Sequence, residues 1–202
     1  MSADLLGALV VFSAVTTITP GPNNVMLMTS GLNHGFARSL PHQMGVVFGF
    51  TFMVALVGLG LGAVFTAYPA LYVVLKYVGA AYLLYLAWAI ATSGPMEDAQ
   101  GSTGRPMTFI EAALFQWVNP KGWVMAVVAM SAYAGVATFP WNVVIITALF
   151  GLVGVPSCGA WVLFGSALRR VLTNSKAVRA FNIAMALALV ASLWPVLAGV
   201  GG

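Results

Sequence analysis

Charge is what this chain has least of. Only 6% of its 202 residues are charged, and the acids number four: Asp4, Glu97, Asp98 and Glu111. A soluble domain carries about 25% charged residues. With so few, and with 61% hydrophobic residues and a mean hydropathy of +0.98, no water-soluble surface can be built, and lipid is the natural solvent. Cysteine is nearly absent too. Cys158 stands alone, which excludes an internal disulfide, a dithiol redox centre and a multi-cysteine metal site, and leaves a small packing residue as its default role. Two histidines and four scattered acids offer no metal-ligand cluster. The net charge of +4 rests on eight Lys and Arg with no basic stripe, so nucleic acid is not a partner. No catalytic Ser/His/Asp set, phosphate loop or cofactor motif occurs, and the chain is not read as an enzyme.

What is present is apolar sequence in long runs. Six stretches stand out, at roughly 5–32, 40–66, 69–91, 108–134, 141–165 and 180–199. Each matches the ~20 residues that span a bilayer as a helix. The ~10-residue alternation of a membrane barrel is missing. The expected fold is an all-α integral membrane protein with six transmembrane helices in one domain, 1–202. Asp4 has the wrong sign for a signal-peptide n-region, so the first run reads as a retained span. Arg38, Arg105, Arg169, Arg170, Lys176 and Arg179 fall after runs 1, 3 and 5, whereas the other side has at most Lys76, which can snorkel. The positive-inside rule puts those loops in the cytoplasm and both termini in the periplasm.

The chain also reads as doubled. Run 1 is interrupted by Thr19-Pro20-Gly21-Pro22-Asn23-Asn24, and run 4, about 100 residues on, by Val118-Asn119-Pro120-Lys121-Gly122. Three spans per half, about 1–93 and 106–202, make the halves inverted repeats with helices 1 and 4 broken. Matched breaks in inverted halves are the best sequence pointer to a transporter's binding site. Pro20, Pro22 and Pro120 withdraw donors from the carbonyls of Thr16, Ile18 and Gln116, and such breaks must face protein or a wet cavity. A single proline kink usually only shapes packing. Two at matching positions, each beside amide side chains, reverse that judgement. Each break also opens a half-helix whose N-terminus suits an anion.

Lys121 lies deep in run 4, where a charge is expensive and marks function unless it snorkels. The expected substrate-binding residues are Thr16, Pro20, Gly21, Pro22, Asn23, Asn24, Asn119, Pro120 and Lys121. The half-helix N-termini and Lys121 suit a carboxylate. The freed carbonyls and the Asn23 and Asn24 oxygens suit an ammonium. Glu111 and His42 are candidates for proton coupling, although an interfacial carboxylate and a packed imidazole are their ordinary roles. Gly45, Gly49 and the glycines 58, 60 and 62 read as close helix packing. Tyr68, Tyr72, Tyr133, Trp141 and Trp194 read as interfacial belts.

Thr19–Asn24, His34-Gly35-Phe36, Gly45, Gly79-Ala80-Ala81-Tyr82-Leu83 and Asn119-Pro120-Lys121 together resemble the lysine exporter (LysE) superfamily, in its homoserine/threonine-resistance (RhtB) branch. The resemblance covers nearly the whole chain. The stretch 79–93 and Glu97-Asp98 are most similar to the cysteine/O-acetylserine exporters. It implies a six-helix exporter of amino acids in the bacterial inner membrane, driven by proton antiport, with the broken-helix motifs on Pro20–Asn24 and Asn119–Lys121. The partners so implied are a small amino acid, protons and the lipid bilayer, and the reading allows a homo-oligomer. The rivals are an uncoupled channel or pore, and a structural membrane subunit with no reason to bear two broken helices and a buried lysine. A membrane redox carrier would need a second cysteine.

Overall fold

The computed structural model describes residues 3–92, 105–172 and 174–194. The polar linker with Glu97 and Asp98, the end of the last run beyond Trp194, and the side chains of Tyr72 and Lys76 lie outside the described residues. Within them the chain is helical and holds no strand. The first run is two helices, α1 (Ala3–Ile18) and α2 (Pro22–His34), bent by 54° at the proline break. Pro22 fits the first turn of α2 because its fixed φ is already helical and its missing donor would be unpaired there. Gly35, at φ 80°, reverses the chain into α3 (Phe36–Leu56). That helix continues through a π turn (Val57–Leu61), where Gly60 takes φ 115°, into α4 (Gly62–Ala67). α5 (Pro69–Thr92) completes the first half.

The second break is tighter. Thr108 caps α6 (Phe109–Phe115) in a reciprocal capping box with Glu111. A 3₁₀ turn (Gln116–Val118) and extended Asn119 then lead into α7 (Pro120–Ala132). α8 (Trp141–Val171) runs past the expected end at 165, so Arg169 and Arg170 sit on its last turn rather than in a loop. No glycine or proline intervenes after Gly165 to stop it. α9 (Ser175–Ala191) starts at Asn174, whose side chain accepts from the Lys176 N–H at 2.9 Å. Among the described residues three helices are long and apolar enough to cross a membrane, or four if the bent α1–α2 pair is one span.

Polarity is distributed for lipid. Val11, Phe52, Leu152, Leu163 and Leu187 are exposed on the outer face, while Asn24, Ser39, His42, Gln43, Gln116, Asn119 and Asn182 are buried. One core cluster joins α1, α3, α7 and α8 through Leu9, Met53, Ala126 and Ile146, with Phe50 and Phe150 edge to face at 5.3 Å. A second joins α2, α5, α6 and α9 through Met26, Leu83, Phe115 and Leu189. Glycines set the closest approaches. Gly45 and Gly49 on α3 lie against the α6 backbone at Phe109 and Ala113, and Gly31 and Gly165 bring α2 and α8 together in the same way. Trp141, Trp194 and Tyr68 are exposed near helix ends; Tyr133 instead packs on Phe12 at 5.4 Å.

Candidate functional site

The two breaks meet. A cavity of about 50 Å³ is lined by Thr16, Thr17, Gly21, Asn23 and Asn24 from the first break and by Asn119, Lys121, Gly122 and Met125 from the second. Val46, Val47 and Phe50 of α3 and Phe150, Gly154 and Cys158 of α8 complete it. Six of the nine expected binding residues line this space. Pro20, Pro22 and Pro120 do not; they shape the flanking backbone.

Lys121 ties the breaks together. Its Nζ donates to the carbonyl oxygen of Thr19 at 2.9 Å, to Thr19 Oγ1 at 3.0 Å and to the carbonyl of Pro20 at 3.3 Å. No carboxylate pairs with it among the described residues. Gly21 permits the approach, because a Cβ there would stand 2.9 Å from Lys121 Cδ and 3.1 Å from Nζ. Asn23 and Gln116 form a reciprocal amide pair across the breaks, at 2.8 and 3.1 Å. The buried Asn24 donates to the carbonyls of Thr17 and Thr19, both at 2.8 Å.

The freed carbonyls are therefore already occupied, contrary to the expectation that they wait for an ammonium. Thr19 Oγ1 donates to the Thr16 carbonyl at 3.1 Å, Trp161 Nε1 to the Ile18 carbonyl at 3.1 Å, and the Asn119 N–H to the Gln116 carbonyl at 3.3 Å. An unpaired carbonyl in an apolar interior is costly enough that the fold supplies each a donor. Asn119 supplies a free acceptor instead. It stands at the N-cap position of α7, yet its side chain makes no capping bond, and Oδ1 is buried with no protein partner.

Helix polarity makes the cavity electropositive. The first-turn N–H groups of α2, at Asn23 and Asn24, and of α7, at Lys121 and Gly122, precede the first intrahelical bonds, from Val25 to Gly21 and from Trp123 to Asn119. Two half-helix N-termini and an ammonium thus share one small space whose lining contains no acid.

The coupling candidates lie elsewhere. Glu111 sits at the α6 N-terminus, bound by both terminal nitrogens of the Arg105 guanidinium and by the Thr108 N–H at 2.8 Å. His42 is buried on α3, one turn from Val46, with neither ring nitrogen hydrogen-bonded. The α8 contribution escaped sequence reasoning. Its signal was Pro156 inside the helix, among glycines 151, 154 and 159; Ser157 beside it accepts a hydrogen bond from Thr17 Oγ1 at 3.0 Å.

Broken helices in a lipid-facing bundle, converging on a buried polar cavity, define a multi-pass membrane transporter. The model of the LysE type translocator matches residues 14–192, and the chain belongs to that family. It is a transporter, not an enzyme. Proteins of Escherichia coli (strain K12) and Shigella sonnei (strain Ss046), each named a cysteine/O-acetylserine efflux protein, are 33% identical to it over 192 residues. The match covers 94% of this chain and 96% of each relative. No solved structure matches the chain.

Proposed function

We propose that this protein exports small neutral amino acids or their derivatives, of the cysteine/O-acetylserine, homoserine or threonine type, across the bacterial inner membrane in exchange for protons. The observation that carries this reading is the acid-free cavity where both half-helix N-termini meet Lys121. A zwitterion's carboxylate is recognised by the Asn23, Asn24 and Gly122 N–H groups and by the Lys121 ammonium. Its ammonium is accepted by Asn119 Oδ1, the buried oxygen that has no other donor. The side chain faces Phe50, Met125, Phe150 and the Cys158 thiol. A dibasic substrate would bring a second cation to a site with no carboxylate.

At about 10–15 Å³ per water, the cavity holds three to five water molecules, too little for an amino acid. Transport on this reading alternates between two more open states, through two inverted halves in a six-span chain. The helix pairings support that symmetry. α1 and α2 pack on α8 as α6 and α7 pack on α3, and the α3–α8 and α5–α9 pairs exchange onto themselves. The periplasmic placement of both termini follows from the six basic residues after runs 1, 3 and 5. Arg38 and Arg169, from two of those junctions, both neighbour His34.

The test is transport by purified protein in vesicles, against cysteine, O-acetylserine, homoserine, threonine and lysine, with and without a pH gradient. Gradient-dependent movement of the neutral substrates, and not of lysine, is expected. Flux indifferent to the gradient indicates a channel, no flux indicates a structural subunit, and either ends the exchange reading.

A further inference from the structure

We propose that His42 carries the exchanged proton; this rests on the amino-acid/proton exchange proposed above and assigns its coupling group. α3 is an apolar helix that nevertheless buries three polar side chains on its way to the cavity: Ser39, His42 and Gln43. Ser39 and Gln43 each have protein partners. Ser39 Oγ bonds Ser30 Oγ at 2.8 Å and donates to the Gly35 carbonyl at 2.9 Å. Gln43 Nε2 donates to the Val155 carbonyl at 3.0 Å, although its Oε1 is unpartnered. His42 has no partner at all. It is 2% exposed, and neither Nδ1 nor Nε2 has a partner. A neutral imidazole has one donor and one acceptor to satisfy, and leaving both unmet in a dry interior wastes the desolvation of each. Packing alone would be better served by Leu or Met. An imidazole kept without a fixed partner is one that can take up and release a proton as water reaches it.

Its position fits that task. Val46, which lines the cavity, lies one turn further along α3, about 6 Å away at 1.5 Å per residue. In the other direction Ser39 and Ser30 lead toward the end that carries His34 and Arg38. The ionisable groups around it come from every packed element. α2 brings His34 and α6 brings Glu111, both near enough to interact with the ring. α8 brings Arg169, against Gly35, and Cys158 at the cavity, where α7 brings Lys121. Arg38 lies one turn back on α3 itself and points outward. Glu111, the acid among them, is held by Arg105 and by the Thr108 backbone, so it is not available to shuttle.

Exchange then follows from charge. The cavity already holds Lys121 and its lining has no carboxylate, so a substrate ammonium there is disfavoured while an imidazolium stands one turn away on α3. When substrate enters, the His42 N–H bond breaks, the electron pair stays on nitrogen and the proton leaves to water on the side of entry. After substrate leaves on the other side, a proton from water there bonds the same nitrogen and returns with the site. Each cycle moves one zwitterion out and one proton in.

The experiment uses vesicles containing the full-length protein, His42→Gln or His42→Ala, with reduced L-cysteine and L-threonine as probes. Two modes are measured: uphill accumulation driven by an imposed pH gradient, and counterflow exchange of amino acid without a gradient. Both variants are expected to lose gradient-driven accumulation while keeping counterflow. Gradient-driven accumulation at the wild-type level in either variant overturns the assignment. So does loss of both modes in His42→Gln, which keeps size and polarity and would then report a structural or binding role. A wild-type protein that exchanges amino acids with no response to the gradient overturns it as well. A wild-type protein that moves neither probe in either mode refutes the exporter reading itself, a different failure.

Discussion

At the scale of single residues, Lys121 and Asn119 set the chemistry proposed for the cavity. The Lys121 ammonium is stabilised by two backbone carbonyls and a hydroxyl rather than by a carboxylate, so it retains a full charge to offer an anion. Lys121→Met should therefore abolish transport while leaving the protein inserted and folded, judged by vesicle flux beside size-exclusion behaviour in detergent. Wild-type rate and affinity in that variant would remove Lys121 from the site. Asn119→Leu makes a more discriminating case. A hydrogen bond to a charged group contributes about 1.5–3 kcal/mol, so affinity for a zwitterion should fall about tenfold or more. Thermal stability should hold or rise, because a buried acceptor without a donor disappears. A destabilised variant that binds as tightly as wild type would contradict the ammonium role. The prolines and amides of the breaks were legible in the sequence because no other feature explains them in an apolar run. The occupation of the freed carbonyls was not, since Thr19, Asn119 and Trp161 reach them from 3 to 143 residues away.

At the scale of elements, close approach decides which helices pair. Gly31 on α2 faces the α8 backbone at Val162, and Gly165 on α8 faces α2 at Met28. Neither leaves room for a Cβ. Gly31→Val should cost at least about 1–3 kcal/mol, because overpacking against backbone offers no side chain to yield. The thermal midpoint in detergent should drop, and an unchanged midpoint would mean the helices do not pack as described. Thr108→Ala, which removes one half of the capping box at α6, should cost about 1 kcal/mol in the same assay. The glycine pattern Gly45-xxx-Gly49 was visible in the sequence as a packing face. Its partner, α6, was not, because small residues state that something comes close without stating what.

At the scale of the whole molecule, orientation in the membrane follows from basic residues and not from packing. Cys158 is buried and is the sole cysteine, so Cys158→Ala provides a background for site-directed labelling. Ser175→Cys in that background should react with an impermeant maleimide only from the cytoplasmic face. Labelling from the periplasm would reverse the topology. Of the expected six runs, two are broken in the structure. The first is a bent pair, α1 and α2, as the proline break requires. The fourth is shorter in each part, because a 3₁₀ turn and an extended residue separate α6 from α7.

The sequence by itself determined the solvent, the helical class and the location of the two breaks. Each depends on local composition: too few charges for water, apolar runs of bilayer length, and prolines that remove backbone donors. Tertiary structure alone decided that the breaks share one cavity and that α3 and α8 wall it. It also decided that Asn119 keeps a free acceptor while Asn23 is paired with Gln116. The reason is physical. Whether a buried polar atom is satisfied depends on which donors the fold brings within about 3 Å of it, and that distance is set by helices far apart in the chain.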